Sequence, residues 1–398
     1  MPEQIIFIQS HPIQYMVPLF AAATRQQLPI TVWYCSHESL KETLDVQFGT
    51  KVKWDIPLLE GYHSELLPNN AKKPSIHNGF WGLYNKAIIK KLKQAPPSLV
   101  IVPGWNYASY WMAMIAARWY GHKLALRGES PLNQELQNSR LKRMLRKLVL
   151  GNFLFKQLHH ALYIGSQNKA FYNYYGVPDS KLAFAPYSVD NSRFAAHKCS
   201  NTEAQQTLRS SLGLQPQLFT IVASGKYIHK KRPLTLLKAF HQLNNPNTQL
   251  VLVGDGELRP QLEAYIQQHQ LTNVHLTGFV NQAAIVNYYA AASVFVMCSG
   301  AGETWGLSVN EAMNFDVPVI VTSIVGCATD LVQDGINGFI IPVDDATALQ
   351  HALQKIINLG PQQQAAMGKA SGQRIQTYSY NTIINTLHNL VAGSNAPV

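Results

Sequence analysis

Short apolar runs alternate with longer stretches of helical spacing along most of this chain. Residues 4–8, 98–102, 219–223 and 292–298 are such runs, and each is followed by glycine, proline or polar residues. Continuous apolar runs of this length are typical of strands in a parallel sheet, because helices cover both faces of such a sheet. The alternation predicts an α/β protein with two doubly wound, Rossmann-like domains.

The length of 398 residues allows two domains of ordinary size, each with its own core. We predict an N-terminal domain at 1–190 and a C-terminal domain at 218–375. Between them, polar residues and Pro216 interrupt the periodic pattern, which indicates a linker at 191–217. Residues 376–398 form a further C-terminal segment that contains the last predicted helix.

Other features of the sequence disfavour several classes of protein. The first apolar run is too short and too weakly flanked for a signal peptide, and no run of about 18 apolar residues suits a membrane span. The cysteines show no paired spacing, which favours reduced thiols in a cytoplasmic protein. They are Cys35, Cys199, Cys298 and Cys327. The 14 histidines form no metal-binding pattern, and adjacent His159 and His160 would point apart on a helix, so we expect no metal.

A predicted strand, a glycine-rich loop and a helix meet around Gly306. The free amides of the first helical turn suit an anion such as a diphosphate, and the glycine allows close approach to the backbone. Glu303 and Glu311 flank this turn. Carboxylates do not bind phosphate, so we expect these two to accept hydrogen bonds from hydroxyl groups of a sugar or ribose. Taken alone, the pair fits two solvated glutamates more often than a ligand site.

Cations collect at the end of another predicted strand. The run 219–223 leads into Ser224 and Gly225, and four of the next seven residues are Lys or Arg. Open α/β sheets bind ligands at the carboxyl ends of their strands, where these cations would neutralise a diphosphate. A solvated basic loop is the alternative.

Two further strand ends carry glycine turns. Gly254-Asp255-Gly256 follows the apolar run 249–253 but lacks the three spaced glycines of a dinucleotide site. Gly278-Phe279-Val280 follows 274–277 and offers backbone groups and an aromatic face to a nucleobase. Four successive strand ends in the C-terminal half therefore carry chemistry suited to one ligand.

In this order, these elements resemble the C-terminal domain of the GT-B glycosyltransferases of family 4, also called glycosyl transferases group 1, over about residues 219–345. The resemblance implies that Lys226 and Lys231 contact the donor diphosphate, that Glu311 binds the ribose, and that Glu303 binds the donor sugar. The predicted donor site comprises Gly225, Lys226, Lys231, Gly254, Asp255, Phe279, Val280, Glu303, Thr304, Trp305, Gly306, Leu307 and Glu311.

The chain departs from the family pattern in places. Lys226 stands where the family more often has arginine, so the planar fork for bidentate phosphate contacts is lost while the charge is kept. Asp330 stands where glutamate is commoner, and Arg232-Pro233 follows Lys231 where many members have glycine.

The resemblance also implies the overall architecture and reaction class. It implies two domains with the ligand cleft between them, and a last helix at 380–391 that crosses back onto the N-terminal domain. The implied reaction is a retaining transfer from a nucleoside diphosphate sugar, with no metal or other cofactor.

The N-terminal domain would bind the acceptor, and its predicted strand ends open onto 11–15, 103–106 and 127–130. The first and last of these segments also resemble a subgroup of the same family. The acceptor-side candidates are His11, Asn106, Arg127 and Glu129. A lone histidine such as His11 is still more often structural. The catalytic candidates are Glu303, Lys226, Lys231, Glu129 and His11.

The net charge of +11 favours acidic partners. We expect no nucleic acid, since no nucleic-acid-binding module is present. Within 139–156, Leu141, Leu145 and Leu148 recur at helical spacing, which predicts a basic amphipathic helix. The cations around these leucines are Arg140, Lys142, Arg143, Arg146 and Lys147. Such a helix either lies on an anionic membrane surface or packs on the sheet of its own domain.

Together these features predict a retaining glycosyltransferase that moves a sugar to a hydroxyl of a glycan or lipid-linked acceptor. It would work in cell-surface polysaccharide or lipopolysaccharide assembly, in the cytoplasm or at the inner face of the membrane. Because a fold does not fix a reaction, two alternatives stay open: a nucleotide-sugar epimerase, and a non-catalytic membrane-associated binding protein.

Overall fold

The computed structural model describes residues 4–45 and 49–392 of the chain. These residues form two compact units. The second unit comprises Leu44–Asp55 and Ser188–Tyr378, and the first unit comprises the remaining described residues. A short piece of the N-terminal half therefore packs with the C-terminal half.

Strands and helices alternate through both units. The strands of the described chain are β1 (Gln4–Gln9), β2 (Ile30–Tyr34), β3 (Thr43–Asp45), β4 (Thr50–Val52), β5 (His63–Leu66), β6 (Ser98–Val102), β7 (Lys123–Leu126), β8 (His160–Tyr163), β9 (Leu182–Phe184), β10 (Phe219–Ser224), β11 (Thr248–Val253), β12 (Val274–Leu276), β13 (Val294–Met297), β14 (Val319–Thr322) and β15 (Gly338–Ile341).

The α-helices of the described chain are α1 (Val17–Arg25), α2 (Ala87–Gln94), α3 (Ala108–Trp119), α4 (Leu132–Glu135), α5 (Arg140–Arg146), α6 (Ser166–Tyr174), α7 (Asn191–Ala195), α8 (Thr202–Ser211), α9 (Pro233–Leu243), α10 (Arg259–Gln268), α11 (Gln282–Ala291), α12 (Leu307–Met313), α13 (Ala328–Leu331), α14 (Ala346–Ile357), α15 (Pro361–Ile375) and α16 (Tyr380–Ala392).

The first unit is built on a sheet whose described strands run in the order β5-β2-β1-β6-β7-β8-β9. Neighbouring strands are parallel, and Phe7 on β1 lies opposite Val32 on one side and Ile101 on the other. Every residue of β6 is buried, as expected for a strand with helices on both faces. The strand order reverses direction between β1 and β6, which makes this the switch point of the sheet.

The described strands of the second unit form a parallel sheet in the order β12-β11-β10-β13-β14-β15. Val222 on β10 lies opposite Val251 and Phe295, on its two neighbours. Leu236 and Leu237 of α9 pack with apolar side chains of the sheet and of α14 in one core. The switch point here lies between β10 and β13.

The predicted fold class is confirmed, since both units contain a parallel, doubly wound sheet. The apolar runs at 4–8, 98–102 and 219–223 are β1, β6 and β10, and the run at 292–298 contains β13. Short apolar runs identified these strands because a strand buried on both faces has no polar face to interrupt its pattern.

The segment 191–217 differs from the predicted linker, because it forms α7 and α8 and lies within the second unit. The guanidinium of Arg209 on α8 is buried and donates to the carbonyl oxygens of Ala291, Pro216 and Leu218 at 2.8, 3.2 and 3.1 Å. Because α8 is held by a buried arginine and not by an apolar face, its sequence lacks the apolar periodicity from which a helix is predicted.

The last helix, α16, belongs to the first unit. It contacts α1 and β9. Its buried face includes Ile383, Ile384 and Leu387, and the hydroxyl of Thr386 donates to the carbonyl oxygen of Phe184 at 2.6 Å. The final helix thus completes the core of the unit that begins the chain.

No helix within residues 4–45 and 49–392 is both long and apolar enough to cross a membrane. The same residues contain no group of three or more His, Cys, Asp or Glu side chains arranged to hold a metal ion. The expected helix around His159 and His160 is wrong: His160 begins β8, and Nδ1 of His159 accepts from the backbone N–H of Leu124 at 3.0 Å.

Replacing Arg209 with methionine should destabilise the second unit by about 3 kcal/mol, because three carbonyl groups lose a buried charged donor. Urea denaturation of the full chain measures this change. Arg25→Met, at an exposed position on α1, is the matched control and should change stability by less than about 0.5 kcal/mol. Equal stability of the two variants would contradict the anchoring role of Arg209.

Candidate functional site

An open cavity, whose empty space of about 370 Å³ includes open solvent, lies at the switch point of the second sheet, at the carboxyl ends of β10 and β13. Gly225, Lys226 and Lys231 line it from the β10 side, and Met297 and Ser299 line it from the β13 side. Ligands of open α/β sheets bind in this position. The cavity therefore coincides with the donor-side strand ends predicted from the sequence.

Glycines allow three strand ends to approach one another beside this cavity. Gly225 and Gly254 have φ values of +146° and +145°, in the range that favours glycine. A Cβ atom at Gly254 would lie 2.0 Å from the carbonyl oxygen of Gly225, and Gly254 also forms a β-bridge with Gly278. The ends of β10, β11 and β12 are thus held together by backbone contact.

Lys231 and Glu303 form an ion pair beside the cavity. A 3₁₀ turn at His229–Lys231 and a left-handed Arg232, with φ of +53°, precede Pro233 at the start of α9. Lys231 Nζ lies 2.5 Å from Glu303 Oε2. Two residues that are 72 positions apart in the sequence therefore meet at the site, as a shared ligand would require.

The charges around Glu303 keep its carboxylate ionised. Burial acts to raise the pKa of Glu303, but the ammonium groups of Lys231 and Lys230 outweigh that effect, and the pKa lies below its usual 4.5. Lys230 Nζ lies 3.7 Å from the same carboxylate oxygen. An ionised carboxylate is a strong acceptor for hydroxyl groups.

Glu311 has the opposite electrostatic environment. Burial raises the pKa of its carboxyl group to about 7, against opposing effects of the Tyr289 hydrogen bond and of the charges on Arg193 and Lys231. The Tyr289 hydroxyl donates to Glu311 Oε2 at 2.5 Å and lies 2.8 Å from the hydroxyl oxygen of Ser224. Glu311 is thus tied to the end of β10 through Tyr289.

The turn between the two glutamates is tightly packed. Gly306 has φ of +108°, and a Cβ atom there would lie 2.7 Å from Met297 Sδ. The indole of Trp305 is buried and donates from Nε1 to Asn310 Oδ1 at 2.8 Å. The side chain of Trp305 therefore belongs to the core. A ligand at this turn would contact the backbone of Trp305 and the half-buried residues Thr304 and Leu307.

Asp255 and Phe279 lie in the loops that follow β11 and β12. Asp255 Oδ2 accepts from Arg259 Nη1 at 3.1 Å, and its Oδ1 accepts from the backbone N–H of Gly256 at 2.8 Å. These contacts make Asp255 a residue that shapes the turn. The ring of Phe279, followed by half-buried Val280, lies 6.4 Å from that of Trp54, centroid to centroid.

One further contact at this site is not indicated by any pattern in the sequence. Lys226 Nζ donates to both carboxylate oxygens of Asp45, at 3.1 and 2.9 Å. Asp45 lies 181 positions away, at the end of the short strand β3. Neither periodicity nor a motif marks this segment, so a long-range ion pair of this kind could be found only in the fold.

The switch point of the first sheet also contains an open cavity, whose empty space of about 410 Å³ includes open solvent. Ser10, Tyr15, Arg127 and Glu129 are among the residues that line it. The hydroxyl of Tyr187 donates to Glu129 Oε1 at 2.6 Å, and Arg127 Nη1 lies 3.9 Å from the same oxygen. Two acceptor-side candidates, Arg127 and Glu129, are therefore brought together.

The other two acceptor-side candidates lie differently. His11 is half-buried next to the cavity, where its Nδ1 lies 2.9 Å from the hydroxyl oxygen of Ser10. Burial lowers the pKa of His11 to about 4, with Glu38 opposing, so its ring is neutral near pH 7. Asn106 is exposed and lies outside the lining of this cavity.

The basic segment 139–156 is helical, with α5 followed by a π-helical stretch at Lys147–Leu154. Leu141, Leu145 and Leu148 are 62%, 53% and 61% exposed, so they do not pack on the sheet. The segment is anchored by buried Leu150 and Leu154. The described structure thus presents an apolar stripe to solvent beside four exposed cations. These cations are Arg140, Lys142, Lys147 and Lys156.

Known proteins share sequence and fold with this chain. Residues 204–374 match the family model for glycosyl transferases group 1. The α-monoglucosyldiacylglycerol synthase of Acholeplasma laidlawii is 29% identical over 164 residues, which cover 40% of each chain. The UDP-Gal:α-D-GlcNAc-diphosphoundecaprenol α-1,3-galactosyltransferase of Escherichia coli is 30% identical, over 45% of this chain and 46% of that one.

The solved structures extend the likeness of the fold to nearly the whole chain. HepE from Anabaena, in complex with UDP, has a TM-score of 0.74 at 18% identity and covers 98% of this chain and 100% of that chain. By contrast, the sequence matches span less than half the length of the curated relatives described above. The protein has the GT-B fold, and its second unit is similar to the glycosyl transferases group 1 over residues 204–374.

The raised pKa of Glu311 predicts a specific pH dependence of stability. Since the folded-state pKa of about 7 exceeds the usual 4.5, the folded protein holds this proton more tightly than the unfolded chain does. The resulting stabilisation is complete below the usual carboxyl pKa and is lost as pH rises through 7. Glu311→Gln should therefore gain about 2 kcal/mol relative to the wild type between about pH 5 and pH 8.

Urea denaturation at a series of pH values measures this difference. Glu303→Gln is the matched control, because the lowered pKa of Glu303 predicts the opposite sign: its stabilisation is present above the usual carboxyl pKa and is lost as pH falls. Parallel pH profiles for the wild type and Glu311→Gln would show that Glu311 titrates normally.

Proposed function

We propose that this protein is a retaining glycosyltransferase that moves a sugar from a nucleoside diphosphate sugar to a hydroxyl of a glycan or lipid-linked acceptor. The observation that carries the proposal is the contact between Lys231 and Glu303 beside the cavity of the second sheet. An ammonium group suits a phosphate and a carboxylate suits a hydroxyl, so this adjacent pair supports a sugar diphosphate as the ligand.

The cations at the end of β10 provide the leaving-group chemistry. Lys226 and Lys231 both line the cavity, and their ammonium groups would stabilise the negative charge that develops on the departing diphosphate. Backbone amides near Gly306 would add further donors. The proposal needs no metal, because the lysines supply the positive charge.

The two glutamates would bind the sugar and the ribose of the donor. Glu303, which is ionised and adjacent to the lysines, would bind hydroxyls of the transferred sugar. Glu311, tied to β10 through Tyr289, would bind the ribose. Phe279 lies at the end of β12, where an aromatic face suits a nucleobase.

The first unit supplies the acceptor side. Glu129, hydrogen-bonded by Tyr187 and close to Arg127, offers a carboxylate to an acceptor hydroxyl, and His11 offers a neutral imidazole nearby. The names of the two curated relatives, one acting on a diphosphoundecaprenol-linked sugar and one a glucosyldiacylglycerol synthase, support an acceptor that carries a lipid.

A lipid-linked acceptor would place the protein at the cytoplasmic surface of a membrane. The exposed leucines of 139–156, interleaved with cations, fit the interface of an anionic bilayer, where apolar side chains enter and cations remain at the headgroups. The exposure of Leu141, Leu145 and Leu148 favours this role over packing on the sheet.

The division of roles predicts different effects for two alanine substitutions. Glu303→Ala should lower kcat by about 100-fold or more while changing the Kd for the nucleoside diphosphate by less than about 3-fold, since its partner is the sugar. Glu311→Ala should weaken nucleoside diphosphate binding by about 10-fold, because a bound ribose loses its acceptor. Transfer assays and isothermal titration calorimetry measure the two effects.

Glu203→Ala, at an exposed position on α8, is the matched control and should match the wild type in both measurements. Unchanged transfer in Glu303→Ala would contradict the role given to Glu303, and absence of transfer by the wild type would indicate a non-catalytic binding protein. Conversion of the donor sugar without any acceptor would indicate an epimerase.

Membrane binding is predicted to depend on the leucine stripe. The Leu145→Gln/Leu148→Gln variant should bind phosphatidylglycerol vesicles about 10-fold more weakly than the wild type, because two apolar side chains no longer enter the bilayer. Vesicle sedimentation measures the bound fraction. Ile336→Gln removes an exposed apolar side chain from the second unit and should have no effect. Equal binding of the wild type and the double variant would exclude the stripe as a membrane contact.

A further inference from the structure

A segment of the N-terminal half is fastened to the second unit beside the donor loops. We call its described residues, 44–45 and 49–55, the strap. Asn281 Nδ2 donates to the carbonyl oxygen of Lys53 at 2.7 Å, and the backbone N–H of Ala283 donates to Asp55 Oδ2 at 3.0 Å. Both contacts lie at the start of α11, immediately after the β12 loop. The C-terminal end of the strap is therefore fixed in place.

The strap also contacts the loop assigned to the nucleobase. The ring of Trp54 meets that of Phe279 in an edge-to-face arrangement at 6.4 Å and 64°. Aromatic pairs favour this geometry. The strap thus borders the proposed donor site at its nucleobase end.

At its other end the strap places a carboxylate on a donor-site cation. Both oxygens of Asp45 lie within 3.1 Å of Lys226 Nζ, and the two side chains are 28% and 25% exposed. Lys226 lines the cavity at the end of β10. The Asp45 carboxylate therefore lies where the proposed donor would place a phosphate oxygen.

A carboxylate and a diphosphate compete for one ammonium group. Both are anionic oxygen acceptors that form short charge-assisted hydrogen bonds with lysine. Each also repels the other at contact distance. The ion pair of Lys231 has a different role from that of Lys226, because its partner Glu303 is itself expected to contact the donor sugar.

We infer that Asp45 is an affinity-determining residue of the donor site, which competes with the diphosphate for Lys226 and so weakens nucleotide binding. This inference rests on the proposed function, since it takes Lys226 to bind the diphosphate. The competing carboxylate thus comes from a part of the second unit that is distant in sequence from the donor loops. A bound diphosphate displaces Asp45 from Lys226.

The test is the Kd for UDP, GDP and ADP, measured by isothermal titration calorimetry on the full chain. Asp45→Asn keeps the size and polarity of the side chain but removes its charge. It should tighten binding of the preferred nucleotide by roughly 5-fold, the value of one partly exposed ion pair. Asp45→Glu, which keeps the charge, should stay close to the wild type.

Two controls isolate the competition. Asp179→Asn removes the same charge from an exposed ion pair with Lys169 in the first unit and should leave the Kd unchanged. Adding Asp45→Asn to Lys226→Ala should not change the Kd further, because the ammonium group for which Asp45 competes is already absent.

The outcomes separate this inference from the proposed function. If the wild type binds a nucleoside diphosphate and Asp45→Asn leaves the Kd unchanged or weakens it, Asp45 does not compete and the inference is overturned. If the wild type binds none of the three nucleotides, the proposed donor site fails, and the inference fails with it.

Discussion

The candidate donor site depends on the ion pair between Lys231 and Glu303. A carboxylate buried to the extent of Glu303, whose side chain is 12% exposed, is stable only when it is paired and hydrogen-bonded. A cluster of lysines at one strand end likewise needs nearby negative charge. The short contact satisfies both requirements and fixes a phosphate-binding group and a sugar-binding group at one position. Asp45 provides the same compensation for Lys226.

The fold provides this geometry through its backbone as much as through its side chains. Glycines at 225 and 254 allow the ends of β10 and β11 to touch, and left-handed Arg232 turns the chain into α9 directly after Lys231. The environment then shifts the pKa values of the two glutamates in opposite directions. Ammonium groups keep Glu303 ionised, whereas burial raises the pKa of Glu311 to about 7. Two identical side chains eight positions apart thus acquire different chemistry.

Much of this arrangement could be predicted from the sequence, because strands buried on both faces and the glycine turns that follow them leave a clear local pattern. The same pattern located Lys231 and Glu303 at strand ends that meet. Three features could not be predicted. Arg209 holds a polar helix by hydrogen bonds rather than apolar periodicity, Asp45 reaches Lys226 across 181 positions, and Trp305 lies within the site motif but packs in the core. Each depends on a long-range partner, which local spacing does not encode.

The most direct test of the account is a thermal-shift screen of UDP-, GDP- and ADP-sugars on the wild type and on Lys231→Ala, each compared with its own ligand-free melting temperature. A ligand that binds only the folded state stabilises it by about 2.7 kcal/mol at 100 times its Kd. The account predicts that at least one nucleotide sugar stabilises the wild type and that this shift is lost in Lys231→Ala. It would be contradicted if no nucleotide sugar shifts the wild type, or if both proteins are stabilised equally.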